Sequence, residues 1–212
     1  MGLFGKKKVV VKEDTTLPET PQETRAHGPW DISEKTVPDN YLDFGTVKIP
    51  MLTGLQIQPV LSADRQSIER LNLMFANSVV QILAIATPRS GNVAGELLND
   101  TEKAFKEQGA DVKRAPGRWG RELQIAVPVA GPDGQKGITP LRVVFIEGNR
   151  WALRIDMVGA VAVEDEVYRA AATLIDNLIV ERDKEPRAPL SLIRLNIPRD
   201  VDIVESDSGV EV

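Results

Sequence analysis

Apolar and polar side chains alternate with a period of two over several short stretches of this chain, a pattern typical of half-buried β-strands. The alternation occurs at residues 55–59 and 68–74, and residues 79–86 form a nearly continuous apolar run that predicts a strand buried on both faces. Strands are also predicted at four later stretches, 111–114, 122–129, 141–147 and 151–158. The pattern therefore indicates a β-sheet at the centre of the fold.

Short turn signals connect these stretches and favour antiparallel neighbours. Residues 132–134 read Pro-Asp-Gly, a hairpin signal, because Asp and Gly accept the positive backbone angles that tight connections require. Residues 147–150 predict a second hairpin turn, and residues 77–78 predict a further turn. We expect hairpins between consecutive strands.

Two stretches instead place apolar residues every three to four positions, which predicts amphipathic helices. The apolar residues of the first helix are Val93, Leu97, Leu98, Ala104 and Phe105. Gly109 closes this helix. The apolar residues of the second, from about 164 to 177, are Val167, Ala171, Leu174 and Ile175. Residues 178–180 either continue it or form a last short strand. The predicted class is α+β, an antiparallel sheet of hairpin-connected strands with two main helices laid on one face.

The two ends of the chain differ in composition from the centre. Residues 1–27 are rich in Lys, Glu, Thr, Pro and Gln without any period, which predicts a disordered tail. Residues 199–212 are acidic and predict a second disordered tail. We expect a single domain over residues 28–198, in which residues 28–53 form an extended lead-in arm packed on the domain edge.

The composition excludes several kinds of site. The chain has no cysteine, which excludes thiolate metal sites and cysteine nucleophiles, and its single histidine, His27, excludes an imidazole cluster. Glycine-rich nucleotide loops and the Gly-x-Ser-x-Gly elbow are absent from the sequence. Acidic residues are numerous, so counting alone does not exclude a paired-carboxylate site, but no pair is singled out, and Asp156 beside Arg154 is interpreted as an ordinary surface or salt-bridged residue. We predict no catalytic residues, no metal site, no cofactor and no enzymatic activity.

The charge and the hydropathy of the chain limit the partners that it could bind and its location in the cell. The net charge of -5 argues against a domain that coats nucleic acid, although a local basic patch stays open. No run of residues reaches the roughly 18 apolar positions of a membrane span, and the start of the chain lacks the apolar region of a secretory signal. We predict a cytoplasmic protein without a membrane span.

One candidate site lies between the end of the apolar run of residues 79–86 and the start of the first predicted helix. Free backbone amides at a helix start attract anions, and Arg89 and Ser90 would add a guanidinium and a hydroxyl group. The alternative is that Ser90 caps the helix, Gly91 relieves the turn and Arg89 is only solvated. The sequence leaves both interpretations open.

A second candidate combines basic and aromatic residues from two other stretches. Arg118 and Trp119 lie in one stretch, and Arg150 and Arg154 lie in another on either side of Trp151. If adjacent in space, they would suit stacking on bases or gripping an acidic partner. We expect Trp151 in the core and Trp119 as the more exposed indole. The alternative is that these residues cover the sheet edge.

Four segments of the chain carry a resemblance to a known family. They are Tyr41-Leu42-Asp43-Phe44-Gly45 with Ile49-Pro50, residues 81–91, Gly148-Asn149-Arg150-Trp151-Ala152-Leu153-Arg154, and Pro189-Leu190-Ser191-Leu192. In these segments, and over about residues 28–198, the chain resembles conserved actinobacterial proteins of unknown function. The resemblance implies an actinobacterial cytoplasmic setting and no catalytic residues. The order of helix, hairpins and final helix also resembles the Mog1/PsbP-like fold, which licenses no function.

These observations support two hypotheses of different classes. The first is a non-enzymatic binding or scaffolding module, whose sheet and Arg/Trp loops dock a protein partner. The alternative is a module that binds an anionic small molecule or single-stranded nucleic acid. The residues that would form this anionic site are Arg89, Arg118, Trp119 and Arg150. Salt dependence separates the two hypotheses, because binding to nucleic acid falls steeply with salt.

Overall fold

The alternating stretches of the sequence form the larger of two β-sheets in a computed structural model that describes residues 26–89, 93–131 and 135–198. The strands are β1 (Trp30–Asp31), β2 (Tyr41–Asp43), β3 (Val47–Pro50), β4 (Gln56–Leu61), β5 (Ile68–Phe75), β6 (Ser78–Ala86), β7 (Asp111–Gly117), β8 (Gly120–Ala130), β9 (Lys136–Glu147), β10 (Trp151–Gly159), β11 (Ile179–Val180) and β12 (Leu192–Ile193). The helices are α1 (Ala94–Glu107), α2 (Ala160–Val163) and α3 (Asp165–Asp176). The predicted α+β class and both main helices are confirmed.

The larger sheet is antiparallel throughout its described pairs and has the strand order β4-β5-β6-β10-β9-β8-β7. Hairpins join most neighbours, as predicted, and β12 pairs with the end of β6. The break in the order comes where α1 carries the chain from β6 across to the edge strand β7. The centre of the sheet is therefore built from β6, β10 and β9.

The larger sheet carries helices on both faces. On the face covered by α2 and α3, which we call the α3 face, Ala171, Leu174 and Ile175 of α3 share a core with Leu153 and Ile155 of β10. On the opposite face, the α1 face, Leu98 packs with Leu123, Ile125 and Phe145. The expectation that both helices lie on one face is wrong. A central strand that is apolar on both sides needs cover on both sides, and one helix cannot supply it.

The lead-in segment, residues 28–53, is more than an extended arm at the domain edge. Its three strands form a second sheet with β11, in the order β1-β11-β3-β2, and β1 pairs with β11 in parallel. Val47 and Ile49 are fully buried in the core under α3. Because the partner strand β11 lies more than a hundred residues away in the sequence, local patterns carry no sign of this sheet.

The predicted turns and tails have different outcomes. In the turn between β9 and β10, the Gly148 N–H donates to the carbonyl of Trp151 at 2.8 Å, and Arg150 has a φ of 63°. The turn between β5 and β6 falls one residue earlier than predicted, because Ala76 and Asn77 take positive φ angles and Ser78 begins β6. Residues 132–134 lie outside the described residues, as do the predicted tails apart from Ala26 and His27.

Trp151 joins the two sheets through one buried hydrogen bond. Its indole is fully buried at the start of β10, and its Nε1 atom donates to Oδ2 of Asp31 in β1 at 2.9 Å. Asp31 also accepts hydrogen bonds at Oδ1 from the backbone N–H and the hydroxyl of Ser33. A Cβ atom on Gly148 would overlap the Trp151 ring, so glycine is required there. The pair fixes β1 against the end of the larger sheet.

We predict that this hydrogen bond contributes about 1.5–3 kcal/mol to stability, since its acceptor is a buried carboxylate. The measurement is a double-mutant cycle with Trp151→Phe, Asp31→Ala and both, each followed by urea unfolding. The Phe variant keeps most of the ring and loses the N–H donor. Additive effects of the two substitutions would contradict the predicted coupling.

Candidate functional site

Arg118 and Trp119 form the turn between β7 and β8, and both are bound to α3. Arg118 Nε donates to Oδ2 of Asp176 at 2.8 Å, and Trp119 Nε1 donates to Oδ1 of the same carboxylate at 2.9 Å. Another guanidinium nitrogen of Arg118 lies 3.1 Å from Nδ1 of His27. Trp119 is half-buried against the core under α3, so it is more exposed than the fully buried Trp151, as expected.

This arrangement has an electrostatic reason. Asp176 is the last residue of α3, where the carbonyl end of the helix dipole disfavours a carboxylate. The Arg118 guanidinium offsets that cost, and the hydrogen bond that Arg118 donates to Asp176 raises the pKa of Arg118. Gly117 and Gly120 flank the turn, and Gly120 has a φ of 114°, which favours glycine. Arg118 and Trp119 therefore hold the β7–β8 hairpin against α3 through Nε and Nη2 of Arg118 and the indole N–H of Trp119.

The start of α1 is occupied by a carboxylate of the protein itself. Oε2 of Glu147, at the end of β9, accepts hydrogen bonds from the backbone N–H groups of Val93 at 3.0 Å and Ala94 at 3.2 Å. The N-cap residue of α1 is Val93, whose side chain makes no capping hydrogen bond. An external anion would have to displace Glu147. Arg89 is exposed, and Ser90 and Gly91 lie outside the described residues.

Arg154 is not brought together with Arg118 and Trp119, whereas Arg150 lies in a turn at the same end of the larger sheet as those two residues. Arg150 lies in the β9–β10 turn, where its carbonyl accepts the Thr87 N–H at 3.1 Å. Arg154 lies two residues from the buried Ala152 on the α1 face, whereas Trp119 packs on the α3 face. The larger sheet thus separates Arg154 from Arg118 and Trp119, because alternate residues of β10 point to opposite faces.

Arg154 is engaged on its own face. Its Nε atom donates to both oxygens of Asp156, at 2.9 and 3.1 Å, and its guanidinium lies 5.9 Å from the centre of the Phe145 ring. Burial raises the pKa of Asp156 above its usual value, while Arg154 and then Arg70 act to lower it. Of the two interpretations of Asp156, a surface residue or a salt-bridged one, the geometry matches the salt-bridged one.

A buried polar cluster joins β8 and β9 to the helices of the α3 face. Glu122 is 1% exposed, and its Oε1 atom forms an ion pair with Nη1 of Arg142 at 3.1 Å. Arg142 also donates to the carbonyl of Ala162 at 3.1 Å, and its guanidinium stacks 4.2 Å from the centre of the Tyr168 ring. Burial, and then the charge of Glu122, raise the pKa of Tyr168. Because Glu122 is enclosed, this cluster anchors α2 and α3 rather than facing a substrate.

Two surfaces were not found from the sequence. The first is an apolar patch, which we call the ribbon patch, formed by Ala126, Pro128, Ile138, Pro140 and Val163. The second is a polar row across the α1 face, which we call the amide row, formed by Gln58, Asn72, Gln81 and Asp156. Both depend on strand register, which residue type alone does not reveal.

The described part of the chain contains neither a metal-binding cluster nor a membrane-spanning helix. Within residues 26–89, 93–131 and 135–198, no three His, Asp or Glu side chains come together in a way that could hold a metal ion. None of the helices in the described part of the chain is long and apolar enough to cross a membrane.

We predict that Asp176→Ala lowers the free energy of unfolding by about 1–2 kcal/mol, because the buried indole N–H of Trp119 loses its acceptor. Urea unfolding of this variant and of Trp119→Phe checks the prediction. Glu166→Ala, at the exposed start of the same helix, is the control. If the Asp176 variant unfolds at the wild-type urea concentration, Arg118 and Trp119 do not fasten the hairpin to α3.

Comparisons with known proteins place the chain in a family. No curated protein matches its sequence. Similar solved structures include cyanobacterial PsbP (CyanoP) from Synechocystis sp. PCC 6803, with 11% identity over 69% of this chain and 96% of that one, and a TM-score of 0.39. They also include LpqN, involved in cell envelope biogenesis of Mycobacterium tuberculosis, with 16% identity over 66% and 88%, and a TM-score of 0.36. Both TM-scores lie below 0.5. The family described as "Protein of unknown function (DUF3710)" matches residues 28–203, so the chain belongs to that family.

Proposed function

We propose that this protein is a non-enzymatic docking module and that the ribbon patch binds a partner protein through an apolar, uncharged segment. The observation that carries the proposal is the exposure of two large apolar side chains, Ile138 at 70% and Val163 at 63%. Exposed apolar patches of this kind are a mark of protein–protein contact surfaces.

The topology of the sheet creates this patch. The pairing of β7 with β8 ends at Ala126, and the pairing of β10 with β9 starts at Leu141. Residues 127–130 and 136–140 therefore project as a two-stranded ribbon beyond the rest of the larger sheet. In this ribbon Pro128 pairs with Ile138, and Ala126 pairs with Pro140, so that these four side chains share one face.

Helix α2 extends the same apolar face. Arg142 lies two residues beyond Pro140 on β9 and donates to the carbonyl of Ala162, which holds α2, with the exposed Val163 at its end, close to β9. The only charged residue among the described positions 126–131 and 135–140 is Lys136, although 27% of the whole chain is charged. This local lack of charge favours an apolar partner segment over an acidic or basic one.

The prolines decide how the partner docks. Pro128 and Pro140 have no N–H group to donate, so neither edge of the ribbon can extend a complete strand ladder. We therefore expect side-chain packing on the face of the ribbon rather than an added strand. The proposed partner contact lies away from Arg118 and Trp119, whose polar atoms are bound to Asp176.

We predict that Ile138→Asp together with Val163→Asp weakens binding of the captured partner by more than about tenfold, because two charges would be buried in an apolar contact. The experiment captures partners from native extract at low and high salt, then measures the dissociation constant of the purified partner. The stability of the variant should stay close to wild type, since both side chains are largely exposed.

The matched control is Met51→Asp together with Leu52→Asp, which places the same charges on two other exposed apolar residues. Partner binding that survives high salt, tolerates the control and is lost in the ribbon variant supports the proposal. Capture of nucleic acid or a phosphorylated metabolite at low salt alone would favour the anionic-ligand alternative. A dimer of this chain that the ribbon variant disperses would replace the partner protein with a second copy.

A further inference from the structure

Three arginines lie near the end of the larger sheet that carries the β7–β8 and β9–β10 turns. Arg70, the third residue of β5, and Arg89, just beyond β6, are exposed, and Arg150 is half-buried in the β9–β10 turn. Within the part of the chain that the structure describes, none of the three side chains forms a hydrogen bond or an ion pair. Their guanidinium groups are therefore free to bind carboxylates.

Arg89 and Arg150 lie close to one another. The carbonyl of Arg150 accepts the N–H of Thr87 at 3.1 Å, and Arg89 follows Thr87 by two residues. On the other side of β6, Leu192 pairs with Ile85, two residues before Thr87, and is 43% exposed. This end of β6 thus has basic side chains and an exposed aliphatic side chain beside it.

Arg70 and Arg154 extend the basic surface along the α1 face. Each lies two residues before a member of the amide row, Asn72 or Asp156, and so points to the same face of the sheet. Burial raises the pKa of Asp156, and the charges of Arg154 and then Arg70 act to lower it, so both guanidinium groups lie near one carboxylate. We call the whole set the arginine surface: Arg70, Arg89, Arg150, Arg154 and Leu192.

Three carboxylates near the arginine surface are already bound. Glu147 accepts the first amides of α1, Asp64 binds Arg194 at 3.2 Å, and Asp156 accepts two hydrogen bonds from Arg154. The charges of the other three arginines of the surface are left without a bound carboxylate. A surface of this kind suits an acidic segment that also carries aliphatic side chains.

Residues 199–212 of the same chain have that chemistry. They contain one basic residue, Arg199, and five acidic ones, Asp200, Asp202, Glu205, Asp207 and Glu211. Val201 and Ile203 alternate with the first acidic residues, so an extended segment would present carboxylates on one side and aliphatic side chains on the other. Charge and hydropathy are both complementary to the arginine surface.

The described chain leads this segment to the arginine surface. Leu195 and Ile68 exchange backbone hydrogen bonds at 2.8 and 3.0 Å, and Arg70 follows Ile68 by two residues. Pro198, the last described residue, comes three residues after Leu195. An extended chain rises roughly 3.3 Å per residue, so 14 residues reach about 46 Å, whereas β5 and β10 are separated by two strand spacings of about 5 Å each.

We infer that residues 199–212 bind back onto the arginine surface of the same molecule, with their carboxylates on Arg70, Arg89 and Arg150. Exposed ion pairs are individually weak, but the covalent connection supplies a high effective concentration of the segment. The bound segment keeps these guanidinium groups from nucleic acid and other polyanions. The inference does not depend on the ribbon patch, which lies at the opposite end of the larger sheet.

The experiment uses the full chain with a nitroxide spin label at position 206. The chain has no cysteine, so Ser206→Cys gives a single attachment point. In ¹⁵N-labelled protein at low salt, we expect paramagnetic broadening of the backbone amide signals of residues 70, 89 and 150, and none at residue 138 in the ribbon. Salt at 1 M should remove the broadening, because the Debye length falls to roughly 3 Å.

Two sets of substitutions should reduce the broadening by roughly fivefold or more, because each removes several ion pairs at once. The first is Arg70→Gln with Arg89→Gln and Arg150→Gln. The second, Asp200→Asn with Asp202→Asn and Asp207→Asn, changes only the acidic segment and leaves residues 26–198 as they are, so it keeps the test valid if the first variant fails to fold.

The matched control removes three exposed cations from α1, β7 and α3, through Lys103→Gln, Lys113→Gln and Arg169→Gln, and should leave the broadening unchanged. The inference is overturned if residues 70, 89 and 150 are not broadened, or if the broadening persists in the arginine variant. It is also overturned if broadening arises only when the spin label and ¹⁵N are on different molecules, because the segment would then bind a second copy.

Discussion

The burial of the Trp151 indole, with its single N–H satisfied by Asp31, is the constraint on which the rest of the structure depends. It places the first strand of the lead-in segment against the start of β10, and so joins the smaller sheet to the larger one. It also requires glycine at position 148, since a side chain there would overlap the indole ring. This contact fixes the end of the larger sheet at which the β7–β8 turn, with Arg118, and the β9–β10 turn, with Arg150, lie.

Most polar groups near that end are satisfied within the protein. Asp176 binds both Arg118 and Trp119, Glu147 binds the first amides of α1, and Arg154 is paired with Asp156. The basic and aromatic residues that stand out in the sequence therefore largely form hydrogen bonds and ion pairs within the protein. The exposed large apolar side chains Ile138 and Val163 of the ribbon patch, by contrast, are not covered within the protein.

The sequence predicted the elements better than their arrangement. The alternating stretches, the two amphipathic helices and the resemblance to a family of unknown function are confirmed, because each depends on local residues. The second sheet was missed because its strands pair across more than a hundred residues. Glu147 could not be foreseen as the partner of α1, because it lies 54 residues from Val93 in the sequence. The actinobacterial and cytoplasmic setting and the disordered tails stay predictions.

The central claim is that the projecting ribbon, rather than the arginine-rich turns, contacts a partner protein. Hydrogen exchange of the full chain, alone and in complex with its captured partner, tests this claim most directly. We expect slower amide hydrogen exchange on binding only in residues 126–140 and α2, and an unchanged exchange rate at residues 117–120. Protection at residues 117–120 and at the β9–β10 turn, with none in the ribbon, would contradict it.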